Sequence, residues 1–171
     1  VLAGFRVSSG AEQSPSAVAE IKKIGGSVRA VDRNHEEWEV EFQLYGRKLT
    51  DTGLAKIAAL NNVVSLNLRD TKITSAGLVH LKSLVTLRRL HLERTKIDDA
   101  GVAHLKGLIN LEYLNLYSTN VTDKSLGHLA NLKNLTQLYV WQTKVSDKGV
   151  AKLKQALPGL KIVRGVDLSK V

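Results

Sequence analysis

Apolar residues along the chain follow two spacings in turn, and the pair of spacings recurs every 24 residues. In one part of each repeat, apolar residues stand two positions apart, as at Leu90 and Leu92. That spacing predicts a strand with one buried face. In the other part they stand three positions apart, as at Leu78, Leu81 and Leu84. This second spacing predicts one face of a short helix, so each repeat supplies one strand and one helix.

Four complete repeats follow one another without insertion. They occupy residues 49–72, 73–96, 97–120 and 121–144. A fifth repeat begins at Val145 and loses the pattern near Pro158. One strand and one helix cannot bury their own apolar face, whereas stacked copies share a continuous core between a strand layer and a helix layer. The repeats therefore predict a single stacked array.

A short polar residue precedes each predicted helix. Its side-chain oxygen is expected to cap the free N–H groups of the first helical turn. The expected caps are Thr50, Thr74, Asp98, Thr122 and Ser146.

The repeats carry the motif L-x-x-L-x-L, seen as Leu87-Arg-Arg-Leu90-His-Leu92. They resemble leucine-rich repeats, and more narrowly a bacterial 24-residue subclass with the consensus (I/V)-T-D-x-G-(L/V)-x-x-L. The resemblance covers residues 49–165 and implies an α/β fold. That fold is a right-handed solenoid of about six strands, with a parallel concave sheet and short helices on the convex side.

One position departs from the family pattern. Threonine stands where the family usually has Asn after the strand, and its hydroxyl is expected to serve backbone groups at the turn. The residues are Thr71, Thr95, Thr119 and Thr143.

Residues 14–48 are expected to form an N-terminal cap. Ser14 and Pro15 suit a helix start, and Gly25-Gly26 suits its end. Two strands should follow, Val28–Val31 and Trp38–Leu44, with Phe42 aligned 24 residues before Leu66. The cap should cover the first repeat, which has no neighbour on that side.

Residues 1–13 and 166–171 are expected to be tails outside the folded array. The first four residues, VLAG, resemble the end of a secretory or lipoprotein signal, so residues 1–13 are interpreted as a disordered tail or a signal or linker remnant. An extracytoplasmic location is therefore favoured over a cytoplasmic one. No apolar run reaches the ~20 residues that a membrane span needs.

Side chains between the buried strand leucines point to the other side of the sheet, which is concave in leucine-rich repeats. They form three columns, and all four tyrosines of the chain fall in them. Clustered Tyr and Trp are typical of protein interfaces and sugar-stacking surfaces. High strand propensity of aromatic residues is the alternative explanation. The predicted binding residues are Tyr113, Tyr117, Tyr139, Trp141, Arg89, His91, Asn115 and Tyr45.

Polar residues of the array suggest no catalytic or metal chemistry. Arg69 and Glu93 share a column and are expected to pair with each other. His80, His104 and His128 recur at one helix position, but neighbouring helices lie 8–10 Å apart, too far to share one ion. The chain has no Cys and no phosphate-loop or hydrolase motif. We therefore expect no enzyme, no cofactor and no metal.

Charge adds one further possibility. Lys and Arg number 25 against 16 for Asp and Glu, and residues 49–171 hold the whole excess, 18 against 9. The excess lies mainly on turns, helices and the C-terminal stretch, so a polyanion could bind there, although nucleic acid is not favoured. The expected function is protein recognition by a monomer through the concave aromatic residues. Carbohydrate binding on the same face, and a scaffold role within a larger protein, remain alternatives.

Overall fold

From β2 onward, strands and helical segments alternate along the chain in the computed structural model, which describes residues 15–31, 37–42 and 48–165. The α-helices are α1 Pro15–Lys23, α2 Asp51–Ile57, α3 Asp99–Val102, α4 Asp123–Leu129 and α5 Asp147–Ala156. Two 3₁₀ helices are Gly77–Ser83 and Ala103–Gly107. The strands are β1 Ser27–Ala30, β2 Trp38–Glu41, β3 Val63–Asn67, β4 Arg89–His91, β5 Tyr113–Asn115, β6 Gln137–Tyr139 and β7 Lys161–Val163.

The sheet follows chain order from β1 to β7, and each strand from β2 onward is parallel to the next. The 24-residue period sets the pairing, since Leu66 lies opposite Leu90 and Leu90 opposite Leu114. These strand leucines and the helix leucines form one buried cluster along the whole array. Among the described residues the sheet has seven strands, where about six were expected. Strand β1, at the edge, is antiparallel to β2. Strand β7, at Lys161–Val163, lies beyond the two cap strands and the four strands of the complete repeats.

Helices in the second and third repeats are wholly or partly 3₁₀. The apolar residues Leu78, Leu81 and Leu84 are three positions apart, and a 3₁₀ helix has three residues per turn. All three side chains are buried. The spacing of three therefore keeps them on one side of a tight helix, facing the strand layer.

The predicted alignment of the cap strand is wrong by two residues. Val40, and not Phe42, lies opposite Leu66, and a register shift occurs between Trp38 and Glu39. Glu39 consequently lies beside Ser65, where the predicted alignment places Glu41. A shift of two residues preserves which side chains face inward, so Val40 and Phe42 both remain buried. Leu44, which ends the predicted strand, lies outside the described residues.

The turn after each repeat strand is built the same way four times. One residue in this turn has a left-handed backbone in each of the four complete repeats, with φ between 53° and 59°. These residues are Asp70, Arg94, Ser118 and Gln142. The threonine that comes next donates its hydroxyl to the carbonyl three residues earlier, as from Thr95 to Leu92 at 2.6 Å. The expected role of the threonine hydroxyls is therefore confirmed.

Three of the five predicted capping residues make a side-chain cap hydrogen bond. Asp98, Thr122 and Ser146 accept hydrogen bonds from backbone N–H groups in the first turn of their helices. Thr50 makes no side-chain cap bond. Thr74 is followed by a 3₁₀ helix without a side-chain cap, and its hydroxyl donates to the Asp51 carboxylate of the preceding repeat at 2.6 Å.

Candidate functional site

Strands β3 to β6, with the residues that directly follow them, place the side chains on one side of the sheet in three columns. The first column runs Ser65, Arg89, Tyr113, Gln137, and the second runs Asn67, His91, Asn115, Tyr139. The third column contains Arg69, Glu93, Tyr117 and Trp141. Backbone hydrogen bonds keep neighbouring members of this column adjacent. The N–H of Ser118, the residue after Tyr117, donates to the Trp141 carbonyl at 3.0 Å. We call Tyr113, Tyr117, Tyr139 and Trp141 the aromatic patch.

Tyr113 lies at the centre of one half of the aromatic patch. Its ring centroid is 4.7 Å from that of His91 and 5.3 Å from that of Tyr139. The Arg89 guanidinium carbon lies over the ring at 4.5 Å from the centroid, a cation–π distance. Burial raises the pKa of the Tyr113 hydroxyl, which stays neutral at physiological pH. The ring is thus held on three sides by neighbouring side chains.

Tyr117 and Trp141 form the other half. Their rings stack with centroids 5.2 Å apart and planes inclined by 24°. Trp141 nevertheless keeps 42% of its surface exposed. Gly165 lies close to the Trp141 ring, since an added Cβ there would lie 3.0 Å from the indole Cδ1. Gly165 also has a φ of +143°, so both the conformation and the close approach favour glycine there.

A buried carboxylate lies beside the aromatic patch, and sequence reasoning missed it. The Glu93 side chain is only 8% exposed. Its Oε1 accepts from Asn115 Nδ2 at 2.7 Å and lies 2.9 Å from His91 Nδ1. Its Oε2 is buried without a hydrogen-bond partner. The alternation of inward and outward residues predicts an exposed Glu93, and only its neighbours in the folded sheet reveal the burial.

The expected pairing of Arg69 with Glu93 is wrong. Arg69 Nε instead donates to Asp70 at 3.2 Å. Asp70 also accepts two hydrogen bonds from Arg94, at 2.5 and 2.7 Å, and these hold the pKa of its carboxyl below the usual range. The left-handed turn at Asp70 brings its carboxylate between the two arginines. Glu93 therefore interacts with His91 and Asn115 and not with Arg69.

Seven of the eight predicted binding residues lie together in the columns, and Tyr45 lies outside the described residues. Within the described ranges, no three His, Asp or Glu side chains are grouped so that they could hold a metal ion. Among the same residues, no helix has the length and apolar character to cross a membrane.

Family models of the leucine-rich repeat match residues 59–82 and 85–144. These residues are leucine-rich repeats. No curated protein sequence matches the chain significantly. The similarity to leucine-rich repeats therefore rests on the repeat models and on the fold.

Two solved structures share the leucine-rich repeat solenoid. A leucine-rich repeat protein of Leptospira interrogans aligns with a TM-score of 0.51 and 22% identity over 63% of this chain. The ectodomain of the receptor kinase SOBIR1 from Arabidopsis thaliana aligns with a TM-score of 0.56 and 18% identity over 87% of this chain and 89% of its own length. The chain spans 27% of the Leptospira protein. The fold is the predicted right-handed solenoid with a parallel sheet and short helices.

Proposed function

We propose that the chain is a non-enzymatic recognition module that binds a protein through the concave face. The observation that carries this proposal is the stacked pair of Tyr117 and Trp141, which leaves 42% of Trp141 exposed in the third column. Leucine-rich repeats generally serve as protein-interaction modules. The proposed binding face comprises the aromatic patch and the side chains around it, namely Arg89, His91, Asn115 and Tyr45.

Rigid aromatic side chains suit protein recognition because they offer a large contact area at a small entropic cost. In the aromatic patch much of that cost is already met in the free protein. Tyr113 is held by His91, Arg89 and Tyr139, and Trp141 is held by Tyr117. A partner would therefore meet preformed aromatic surfaces whose ordering adds little to the cost of binding.

Carbohydrate binding on the same face is less well supported. Sugar recognition needs free polar groups beside the stacking rings. Asn115 donates to Glu93 and to the Tyr113 hydroxyl and accepts from the Tyr117 N–H. Gln137 accepts from the Tyr139 hydroxyl at 3.4 Å. These internal bonds leave few polar groups free for a sugar, which favours a protein partner.

The finer family assignment is also a proposal. We infer that the array belongs to the bacterial subclass of 24-residue repeats, with residues 14–48 as its N-terminal cap and 49–165 as the repeats. The supporting observation is the register, in which each parallel pair from β3 to β7 is offset by 24 residues.

The test compares a double variant of the binding face, Tyr117→Ala with Trp141→Ala, with a matched double variant on exposed apolar residues elsewhere, Val85→Ala with Ile109→Ala. Candidate partners are first recovered with the unmodified chain, and each is then purified and titrated against all three proteins by calorimetry. We expect the concave variant to bind about tenfold or more weakly, with an unchanged circular dichroism spectrum.

A direct partner that binds all three proteins equally would move the site off this face. Hits on a glycan array that disappear in the concave variant would establish the carbohydrate alternative in its place. Binding that weakens steeply with salt, and equally in all three proteins, would instead indicate a polyanion on the lysine-rich surface.

A further inference from the structure

A groove of about 520 Å³ runs between α4 and α5, on the side of the array opposite the sheet. Small residues form its floor, and lysines stand around it. The floor includes Gly127, Ala130 and Ala156, and the rim lysines are Lys124, Lys148 and Lys152. The volume lies within the range of ordinary small-molecule sites.

The groove lies where two positions carry smaller side chains than the equivalent positions of some other repeats. Gly127 corresponds to Val79 in the second repeat, and Ala130 corresponds to Lys106 in the third. A Cβ added at Gly127 would meet no atom within 4 Å. Beneath the floor, Leu126 and Leu153 are almost fully buried. The small residues therefore expose an apolar strip of helix surface.

The charge around the strip has one sign in excess. In the described part of the chain, none of the three rim lysines takes part in an ion pair. The one acidic lining residue, Asp123, has its oxygens engaged by the Ser146 backbone N–H at 2.8 Å and hydroxyl at 2.6 Å. The rim thus presents three ammonium groups free to bind an anion.

Lys133 links the two helices at one end of the groove. Lys133 Nζ donates to the Ala130 carbonyl at 3.1 Å and to the Ala156 carbonyl at 3.2 Å, so it bridges the two helix ends. With ten residues, α5 is about 15 Å long, and this sets the length available to an occupant. The groove is therefore short, apolar along its floor and positively charged along its rim.

We propose that this groove binds a small anionic amphiphile, a free carboxylate that carries one apolar chain. The chain would lie along Gly127 and Ala130, and the carboxylate would contact the rim lysines. Charge complementarity selects the anion, and the apolar floor selects the chain. A polyanion would use the lysines and leave the floor exposed to water, so it would not explain the groove. The site is separate from the concave face and does not depend on a partner there.

The test is a titration of the ¹⁵N-labelled chain with decanoate below its micelle concentration, followed by amide chemical shifts. We expect saturable shifts confined to α4 and α5. Decanol and decyltrimethylammonium, which share the apolar chain, should each bind about tenfold or more weakly, since they lack the anion. Equal binding of all three probes would overturn the proposal. If hexaglutamate bound as tightly as decanoate, the proposal would also be overturned, because the site would then be a surface that binds any polyanion.

Two pairs of variants test the floor and the rim separately. Gly127→Leu fills the groove, and Gly107→Leu is its control, because an added Cβ at Gly107 also meets no atom within 4 Å. Lys148→Glu with Lys152→Glu reverses the rim charge, and Lys72→Glu with Lys96→Glu is the control on exposed turns. Each groove variant should weaken decanoate binding about tenfold, and each control should leave it unchanged. If Gly127→Leu fails to fold, the charge pair decides alone. Unchanged decanoate binding in the charge-reversed variant refutes the site.

Discussion

The carboxylate of Asp99 accepts two hydrogen bonds from Thr122 in the next repeat, from its N–H at 2.8 Å and its hydroxyl at 2.6 Å. Ser125 adds its N–H at 3.2 Å and its hydroxyl. Hydrogen bonds of this kind, from a hydroxyl in one repeat to a carboxylate in the repeat before it, link neighbouring helices on the convex side. We call them inter-repeat ties. The equivalent pairs are Asp51 with Thr74 and Asp123 with Ser146.

Replacing Asp99 by Ala should lower the free energy of unfolding by about 2–4 kcal/mol. The substitution leaves the partly buried donors of Thr122 and the buried Ser125 without their acceptor. Urea unfolding followed by circular dichroism measures the change. The control is Asp147→Ala, at the equivalent position two repeats later, where the side chain is 96% exposed and contacts Arg164. The control should change stability by no more than about 0.5 kcal/mol. Equal losses in the two variants would show that the ties contribute nothing specific.

Stability should fall as the pH is lowered below about 5. Burial opposes the ionisation of Asp99, but hydrogen bonds from Ser125 and Thr122 outweigh it and lower its pKa. Hydrogen bonds from Ser75 and from Ser146 likewise lower the pKa values of Asp98 and Asp123.

The sign follows from these directions. In the unfolded chain these carboxyls titrate near a pKa of about 3.9, above their folded values. Their contribution is therefore complete above the unfolded pKa and is lost as the pH falls through the folded pKa. Urea midpoints measured between pH 6 and 3 should decrease, and Asp99→Asn should make the decrease shallower. Parallel curves for the two proteins would contradict this assignment.

The strand register and the turn chemistry could be predicted because the 24-residue period fixes them. Once Leu90 is buried at a strand centre, the period places Leu66 and Leu114 beside it, as observed. The same alternation places Tyr117 next to Trp141. Local spacing therefore determines which residues meet, wherever one repeat follows another without insertion.

Features that depend on a single repeat could not be predicted in this way. The shift at Trp38 lies in β2, which pairs on its other side with the antiparallel β1, and β1 has no counterpart in the repeats. The burial of Glu93 depends on His91 and Asn115 turning toward it. The groove depends on the missing side chain at Gly127, which looks like any exposed glycine in the sequence.

Replacing Glu93 by Gln should raise the free energy of unfolding at pH 7 by about 1 kcal/mol. The amide oxygen can keep the bonds from Asn115 and His91. The buried position without a partner then holds a neutral amide nitrogen in place of a charged carboxylate oxygen, and a neutral polar group costs less to bury than a charged one. Urea unfolding at pH 7 measures the change. Glu112→Gln serves as the control, because Glu112 is exposed and should tolerate the exchange within about 0.5 kcal/mol. A loss of stability in Glu93→Gln would show that a charged pair with His91 holds this part of the sheet.

Gly149 is required because the Asp123 carboxylate of the preceding repeat, which accepts hydrogen bonds from Ser146, lies close to it. An added Cβ there would clash with Asp123 Oδ1. The preceding repeat carries Ser125 at the equivalent position, and that hydroxyl donates to Asp99. A serine therefore fits when its hydroxyl bonds to the carboxylate that approaches it. Alanine has the same Cβ and no donor.

We accordingly expect Gly149→Ala to cost about 1–3 kcal/mol in unfolding free energy, because the Asp123 carboxylate must move and lose hydrogen bonds. Gly149→Ser should cost about 1 kcal/mol less, since its hydroxyl can donate to Asp123 as Ser125 donates to Asp99. Gly159→Ala is the control, because a Cβ there meets no atom within 4 Å. Urea midpoints rank the three variants. If serine destabilises as much as alanine, the hydroxyl does not compensate, and the glycine is retained for space alone.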